Sequence, residues 1–442
     1  MTKSLKIGIA SVFLLQLIMC ASFGLAHDEA YYWLFSKNLS WGYFDHPPFV
    51  AAIIALFSFL PHHEFSVRVG FVLLQAGSLI FLFRMTDRKD WPNVFLLFFS
   101  FPLASYTGLL ALPDMPLLFM TAAYFYFLRG YLAGDKKCVW LLGVVIPLLL
   151  YAKYHGILLI FFTIISVPRL LVRKDFWIVT LVSIILFSPH VWWQYQNNFA
   201  TLRYHFLERP SSAFSIKRIL DYLGTQLLLT GLFCGPIIWW QLKQFKPRDT
   251  FQRVLVFVSW GILIFFLVST FSKKVEANWT ISLAIPLTIL MAGAEIWHRK
   301  WAKSLLLTSF TVVILARLVL LFPTLPVKRV AEFHGWKEWA LLVQEKCGQT
   351  RILANNYQIA SKLSFYLNRE ISALNYKSRK NQFDFWNWDI SGEVCYITDK
   401  TEFGGEEILT PEKKGLRIVK DLSGESLLMT KIEENARKRD NP

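Results

Sequence analysis

The sequence is poor in cysteine and in charged side chains. Of its 442 residues, 5 are cysteine and 18% are charged, whereas roughly 25% are charged in an ordinary soluble protein. No cysteines have the spacing of a metal site, so the chain does not predict a zinc or iron–sulfur domain. It also has no internal repeat, no low-complexity tract and no basic–aromatic motif of the kind that binds nucleic acid.

Apolar residues dominate instead. Hydrophobic residues make up 54% of the chain, with 39 Phe and 17 Trp, which is typical of polytopic membrane proteins. Apolar runs separated by charged clusters predict about eleven transmembrane helices. The predicted spans are 7–25, 66–83, 93–111, 115–132, 138–152, 154–168, 176–192, 219–241, 254–271, 280–296 and 304–322.

Some apolar stretches fit a full crossing poorly. The fifth and sixth predicted spans are short, and a helical pair in the outer leaflet is the alternative for them. The run Phe49–Leu60 would reach roughly 18 Å as a helix, against about 30 Å of hydrocarbon. Because it follows Pro47 and Pro48, which are tolerated where helices begin, it is predicted to be an interfacial or re-entrant helix.

Basic residues predict the orientation. The segments assigned to the cytoplasmic side hold 17 basic and 5 acidic residues, as the positive-inside rule requires. Residues 1–326 carry a net charge of +14 and residues 327–442 carry +2, so the excess is a topology signal and no nucleic-acid partner is expected. The first span lacks a small-x-small cleavage site and is expected to be retained. An odd number of spans then places the C-terminal residues in the periplasm of a bacterial inner membrane.

Composition changes near Pro323–Pro326, which separates a transmembrane domain, 1–326, from a soluble domain, 327–442. Alternating helix and strand signals predict a small α/β domain after that point. Cys347 and Cys395 would lie there on the oxidising side, either as a disulfide or as two independent buried thiols. Helices are predicted at 336–345 and 359–366, strands at 351–354, 394–398, 416–419 and 427–432, and a disordered end at 433–442.

Four acidic residues are predicted at the outer face. Asp28 and Glu29 follow the first span, Asp45 returns within the same loop (26–65), and Asp114 occupies another outer turn. Ionised groups at a membrane are costly and usually functional, so these four are the candidates for catalysis. The alternative is that Asp28 and Asp114 only cap helices.

Histidines and aromatic residues surround these acids. His27 and His46 flank them, and each alone is more often structural than a ligand. Together, Asp28, Asp45 and His46 are nevertheless candidates to bind a divalent metal. The aromatic segment that begins at Tyr31 is predicted to lie flat on the outer leaflet.

Basic side chains on the outer side are candidates to bind a lipid phosphate. The alternative for a lysine at the end of a span is snorkelling to water. Lys153 and Arg317 are predicted within apolar segments, where a charge needs a partner. The full set is Lys153, Arg203, Lys273 and Arg317, with His205 and Lys274 beside them.

Together these motifs resemble those of bacterial membrane glycosyltransferases of the GT-C superfamily. The nearest groups are the protein O-mannosyltransferase-like proteins and the lipid A aminoarabinose transferases. The resemblance covers nearly the whole chain and continues into the tail. It rests on Asp28-Glu29, Asp45-His46-Pro47-Pro48, Pro113-Asp114, Ala277-Asn278-Trp279, 356–367 and 379–386.

The resemblance implies an inverting enzyme that transfers a hexose or pentose from a polyprenyl-phosphate donor, such as an undecaprenyl-phosphate sugar, to an envelope acceptor such as lipid A. Asp28 would take the acceptor proton, and basic residues would stabilise the departing phosphate. The aminoarabinose transferases carry Arg where this chain has Tyr31 and Lys where it has His46. Lys153, Arg203 or Arg317 would substitute in binding the donor phosphate, or His46 would act protonated.

Acceptor binding is expected at Asn278 and Trp279 and at the basic–aromatic segment of the tail. That segment contains Arg379, Asn381 and Trp386. An ordinary loop with core aromatic residues is an equal alternative for it.

Other functions remain open at this point. A protein hydroxyl could replace lipid A as acceptor. A transporter or flippase of a polyprenyl-linked sugar would also suit the charged outer groups, although no pair of inverted, broken helices is visible. The expected partners are the lipid-linked donor, a lipid or protein acceptor and membrane lipids. We expect a monomer, with a divalent metal as the one candidate cofactor.

Overall fold

The computed structural model of the chain describes residues 2–204, 213–324, 327, 329–386 and 390–440. Its first part is a bundle of helices of unequal length. These are α1 (Lys3–Ser22), α2 (His27–Lys37), α3 (Phe49–Leu56), α4 (Glu64–Met85), α5 (Trp91–Ser100), α6 (Pro102–Tyr106), α7 (Asp114–Leu132), α8 (Lys137–Ala152), α9 (Gly156–Ser166), α10 (Lys174–Gln196), α11 (Ala200–Arg203), α12 (Ile216–Leu229), α13 (Gly235–Gln244), α14 (Thr250–Ser269), α15 (Ala284–Met291) and α16 (Lys300–Leu318).

Within the described residues, 5 helices are long and apolar enough to cross a membrane, namely α1, α4, α10, α14 and α16. Each predicted apolar segment contains a helix, but two segments are interrupted. Segment 93–111 divides at Pro102, whose nitrogen cannot donate a hydrogen bond. Segment 219–241 divides near Gly231, which has a φ of +122°. The number of membrane crossings therefore stays a prediction.

Helix α7 lies at the centre of the bundle, and most of its side chains are buried. It packs between α4 and α8, and α8 packs against α10. Gly143 of α8 permits this approach, because a Cβ there would lie 2.8 Å from Val182 Cγ1. Since α7 and α8 are antiparallel neighbours, the start of α7 and the end of α8 lie at the same end of the bundle.

The C-terminal domain contains three helices and a five-stranded mixed sheet, with strand order β2-β1-β3-β5-β4. Strands β1 and β2 and strands β1 and β3 are parallel, whereas β5 is antiparallel to both β3 and β4. Cys347 and Cys395 form a disulfide with a Cα–Cα distance of 5.7 Å, which decides between the two alternatives. The elements are α17 (Trp336–Cys347), β1 (Arg351–Ala354), α18 (Tyr357–Tyr366), β2 (Ser372–Ala373), β3 (Glu393–Thr398), β4 (Glu406–Leu409), β5 (Gly415–Ser423) and α19 (Gly424–Asp440).

Two predictions for this domain are wrong. The segment 427–432 is not a strand, and residues 433–440 are not disordered, because both belong to α19. Ser423 Oγ accepts a hydrogen bond from the Ser426 N–H at 3.2 Å and so supports the start of the helix. The residues that follow are rich in strong helix formers such as Leu, Met, Glu and Lys.

Contrary to the prediction, the aromatic face of α2 is also not exposed to lipid. Tyr31, Trp33 and Phe35 are buried, and α2 packs along α18 of the C-terminal domain. The ring of Trp33 meets that of Phe365 at 5.2 Å. The aromatic side chains of α2 therefore form part of an interface between the two domains. This interface positions the acids at the start of α2.

The chain between α1 and α2 is fastened to the C-terminal domain. The buried Lys362 of α18 donates to the carbonyl of Leu25 and, at 2.8 Å, to that of Glu332. The Leu25 N–H donates to Tyr366 Oη at 3.0 Å, and the His27 N–H donates to Glu332 Oε1 at 2.8 Å. Burial lowers the pKa of Lys362 to about 7. Residues 25–27 thus have a fixed path into α2.

Candidate active site

Asp28 lies in the first turn of α2, at the junction of the two domains. Its side chain retains access to solvent, and Tyr357 Oη donates to its Oδ1 at 3.3 Å. Among the described residues it forms no salt bridge. Loss of hydration between the two domains, followed by the charges of Glu332 and Asp45, raises the pKa of Asp28 to about 6. A carboxylate with this pKa can accept a proton near neutral pH.

Glu29 is held in a different way. Arg68 donates to it through Nε at 2.7 Å and through Nη2 at 2.6 Å, and neither side chain is exposed. The N–H groups of Ala26 and Ala111 each donate at 2.8 Å. These four bonds occupy the lone pairs of the carboxylate. The predicted catalytic role of Glu29 is not supported by this geometry, which gives Glu29 a structural role.

Asp45 is paired with the C-terminal domain. Arg379 Nη1 donates to its Oδ1 at 2.7 Å, and Tyr31 Oη donates to its Oδ2 at 2.9 Å. Tyr31 Oη in turn accepts from the Gln382 N–H at 2.6 Å. The Tyr31 hydroxyl therefore gives its one donor to Asp45 and does not offer it to a phosphate.

Asp114 forms a third paired site, at the start of α7. Lys153, just after α8, donates to its Oδ1 at 2.8 Å, and both side chains are largely buried. Asn278 Nδ2 donates to Asp114 Oδ2 at 3.1 Å. Lys153 and Asn278, predicted to bind phosphate and acceptor respectively, therefore neutralise and orient Asp114.

Three of these acids converge on Tyr32. Burial and the charges of Asp28, Asp45 and Asp114 raise the pKa of the Tyr32 hydroxyl well above its usual range. The three acids thus act on one hydroxyl, and their common catalytic role stays a prediction. Among the described residues, Asp45 and Asp114 each pair with a cation, whereas Asp28 accepts a hydrogen bond from Tyr357 Oη and forms no ion pair.

Arg203 lines a cavity of about 220 Å³ beside the Asp45–Arg379 pair. Lys380 is the second cation in the lining, and no acid is among the described residues of that lining. Neither cation forms an ion pair with another described residue. The rest of the lining is Phe44, Asn197, Asn198, Ala200 and Phe385. This composition suits an anionic group such as a phosphate.

Arg317 does not join this group. It is 2% exposed, and its Nη1 donates to Ser105 Oγ at 3.4 Å, while its Nε and Nη2 have no partner in the described residues. It shares no described contact with the acids of the outer loops, and its predicted phosphate contact stays a prediction. Lys273 lies in the turn after α14, and Lys274 pairs with Glu276 at 3.5 Å. His205 falls outside the described residues.

The candidate metal site is not assembled. The described residues contain no group of three or more His, Cys, Asp or Glu side chains placed to hold a metal ion. The ring of His46 packs against Tyr32 at 5.6 Å, and His27 Nε2 lies 2.6 Å from Glu412 Oε1. Both histidines are engaged with protein groups.

Of the predicted acceptor residues, Asn381 is buried, Asn278, Trp279 and Trp386 are partly buried, and Arg379 is exposed. Asn381 is 1% exposed, and its side chain caps the 3₁₀ turn at Gln382–Asp384. Trp386 packs edge-on against Phe35 at 5.8 Å, and Trp279 packs against His155 at 5.2 Å. Of the tail segment, only Arg379 reaches the acids directly.

Sequence reasoning missed several of the groups that organise the site. Arg68 lies in the middle of an apolar run, where an arginine already signals a buried partner. Tyr357 and Lys380 lie within motifs that carried the family resemblance, but no role was assigned to either. Their contacts with the loop acids and the cavity depend on how the two domains dock.

Comparisons with known proteins agree with this architecture. Residues 45–193 match the family described as dolichyl-phosphate-mannose-protein mannosyltransferase. The chain is 24% identical over 416 residues to the lipid A galacturonosyltransferase RgtD of Rhizobium johnstonii, with 84% of this chain and 85% of that protein covered.

Two solved structures share the fold. Apo ArnT from Cupriavidus metallidurans superposes with a TM-score of 0.68 at 12% identity, covering 95% of this chain and 97% of the other. ArnT bound to undecaprenyl phosphate gives 0.63 at 14% identity, with 93% and 97% covered.

The family match, the similarity to a lipid A galacturonosyltransferase and the fold shared with ArnT all agree with the resemblance to GT-C membrane glycosyltransferases. The resemblance identified from the sequence motifs is thereby confirmed.

Proposed function

We propose that this protein transfers a sugar from a polyprenyl-phosphate donor to lipid A or a related envelope glycolipid, at the outer face of the bacterial inner membrane. Asp28 acts as the general base, and the sugar is transferred with inversion. The proposal makes the enzyme a hexosyl- or pentosyltransferase. It takes its acceptor class from the lipid A galacturonosyltransferase that the chain resembles over most of its length.

The observation that carries the proposal is the state of Asp28. Glu29, Asp45 and Asp114 each face a cation, at 2.6, 2.7 and 2.8 Å respectively. Those ion pairs occupy oxygens of the three carboxylates. Asp28 forms no salt bridge with a described residue, and loss of hydration raises its pKa to about 6. It is the acid best suited to accept and release a proton in each cycle.

In the proposed step, an acceptor oxygen attacks the anomeric carbon of the sugar. The new carbon–oxygen bond forms as the bond from the anomeric carbon to the phosphate breaks, and the acceptor proton passes to Asp28. Polyprenyl phosphate leaves with the bonding electrons. Attack from the side opposite the phosphate gives inversion.

The leaving phosphate needs positive charge nearby. The cavity with Arg203 and Lys380 is the best candidate among the described residues, because it is open, has no acidic lining and adjoins Asp45 through Phe44. Lys153 is less suitable, since Asp114 already neutralises it. The ArnT structure with undecaprenyl phosphate supports a lipid phosphate as the ligand class for this fold.

The orientation is part of the same proposal. The disulfide between Cys347 and Cys395 supports an oxidising location for the C-terminal domain, and the positive-inside pattern supports the same side. We infer about eleven crossings, a periplasmic C-terminal domain and a monomeric enzyme.

The test uses the purified full-length protein in proteoliposomes. Polyprenyl-linked lipids extracted from bacterial envelopes serve as donor and purified lipid A as acceptor, and mass spectrometry follows both glycosylated lipid A and released polyprenyl phosphate. Asp28→Asn keeps the shape but cannot accept the proton, and it should lower transfer by about a hundredfold or more. The matched control, Asp421→Asn, alters an exposed acid of β5 and should leave the rate unchanged.

A protein acceptor is the second candidate, because the matching family is described by protein mannosylation. A parallel reaction with envelope proteins in place of lipid A separates the two acceptors by which product gains mass. A flippase would move the donor across the bilayer without forming either product. Normal turnover by folded Asp28→Asn would eliminate Asp28 as the base.

A further inference from the structure

Two side chains of the C-terminal domain reach the acids of the loop between α1 and α4. Tyr357, the first residue of α18, donates to Asp28 at 3.3 Å, and Arg379 donates to Asp45 at 2.7 Å. The guanidinium of Arg379 also lies 5.2 Å from the centre of the Tyr357 ring. Asp28, Tyr357, Arg379 and Asp45 therefore form one continuous chain of contacts.

The position of Tyr357 is well determined by its surroundings. Asn356 Oδ1 caps α18 by accepting from the Ile359 N–H at 3.0 Å, and the Tyr357 ring packs on Tyr31 at 4.7 Å. Further along α18, Lys362 holds the carbonyl of Leu25. The same helix thus fixes both the backbone that leads to Asp28 and the hydroxyl that meets its carboxylate.

We propose that Tyr357 is a positioning residue that holds the Asp28 carboxylate for proton transfer and stabilises its charged form. The C-terminal domain is then part of the active site and not only a platform for the acceptor. This inference rests on the proposed function in one respect, which is that Asp28 is the base.

The charges around Asp28 make this hydroxyl important. Glu332 and Asp45 disfavour a negative charge on Asp28, whereas His27 and Arg379 favour it. Among the described residues, Tyr357 alone donates a hydrogen bond to Asp28. Removing that donor should make Asp28 easier to protonate.

The first experiment compares the pH dependence of kcat/KM for the wild type and Tyr357→Phe, which keeps the ring. Because Asp28 must be ionised to act as a base, the wild-type rate should fall below a pH of about 6. In the variant this limb should move up by about one pH unit, so that kcat/KM falls about tenfold below pH 6 and changes much less above pH 8. An unmoved limb, or an equal loss at every pH, would overturn the proposal.

Tyr396→Phe is the matched control. It removes one hydroxyl of the same domain that donates to Asn355 at 2.9 Å, and it should leave the pH limb in place. Replacing Tyr357 by 3-fluorotyrosine gives a stronger donor of the same shape. That variant should move the limb down, and movement in the same direction as Tyr357→Phe would contradict the hydrogen-bond argument.

A second measurement needs no turnover. Dicyclohexylcarbodiimide reacts with protonated carboxyl groups, and mass spectrometry of the peptide that contains Asp28 gives the labelled fraction at each pH. The labelling midpoint should lie near 6 in the wild type and higher in Tyr357→Phe. If the midpoint shifts but Asp28→Asn stays active, the proposed function fails while the coupling stands. If Asp28→Asn is inactive and neither midpoint nor limb shifts, only the coupling fails.

Discussion

Variants of the ion pair between Glu29 and Arg68 give the sharpest test of which acids are structural and which are catalytic. Glu29→Gln removes one charge and leaves Arg68 buried with a neutral partner. Both side chains are fully buried, 2.6 Å apart at the closest oxygen and nitrogen. Breaking such a pair by changing one partner costs about 3–5 kcal/mol, because the remaining charge stays uncompensated.

That cost should be visible as a loss of thermal stability. With an unfolding entropy of about 2.1 cal/mol/K per residue over the chain, the midpoint should fall by about 3–5 °C. Intrinsic tryptophan fluorescence of the purified protein in detergent, heated at a fixed rate, measures the change. Glu406→Gln, which removes an exposed carboxylate, is the matched control and should move the midpoint little.

The double variant Glu29→Gln with Arg68→Leu separates the two roles. Replacing both partners removes the unpaired charge and should recover most of the lost stability. Transfer activity should recover with it, because Glu29 contributes position and no chemistry. A Glu29→Gln protein with the wild-type midpoint but without activity would refute the reasoning and place Glu29 in the chemical step.

Two further predictions concern the other fastenings of the site. Lys153→Met should destabilise the protein by about 3–5 kcal/mol and reduce transfer. Adding Asp114→Asn should restore the thermal midpoint without restoring activity. Recovery of both the midpoint and the activity would show that the pair is purely structural. Changing Cys347 and Cys395 to serine opens a loop with a sequence separation of 48 and should cost about 4 kcal/mol by chain entropy. Guanidinium unfolding of the C-terminal domain in the full chain measures this, and an unchanged midpoint would contradict it.

Local patterns in the sequence predicted much of the architecture. Apolar runs bounded by charges locate the helices of the bundle because burying a long apolar segment is the dominant local preference. The start of α3 follows from Pro47 and Pro48, and the strand Arg351–Ala354 has the predicted bounds. The acidic motifs Asp28-Glu29, Asp45 and Asp114 carried the family resemblance together with Ala277-Asn278-Trp279 and the tail segments, and the site that they indicate stays a prediction.

The wrong predictions have a common cause. A charged or aromatic residue in the sequence does not show which group it will contact in the fold. Glu29 and Asp28 are adjacent in the sequence, yet one meets Arg68 and two backbone N–H groups while the other meets a tyrosine of a distant domain. No periodicity distinguishes them. In the same way, α2 is aromatic whether it faces lipid or protein, and only its packing against α18 decides.

Sequence alone therefore predicted a membrane protein, the position of most helices and the acids among which we propose the base. Tertiary structure decided which acid is left without a cation, since that depends on the docking of the C-terminal domain onto α2 and on the meeting of α7 with α8. The physical reason is that a carboxylate acquires its pKa and its role from groups within a few ångströms. In this fold the cations that pair with Glu29, Asp114 and Asp45 lie between 39 and 334 positions away in the chain.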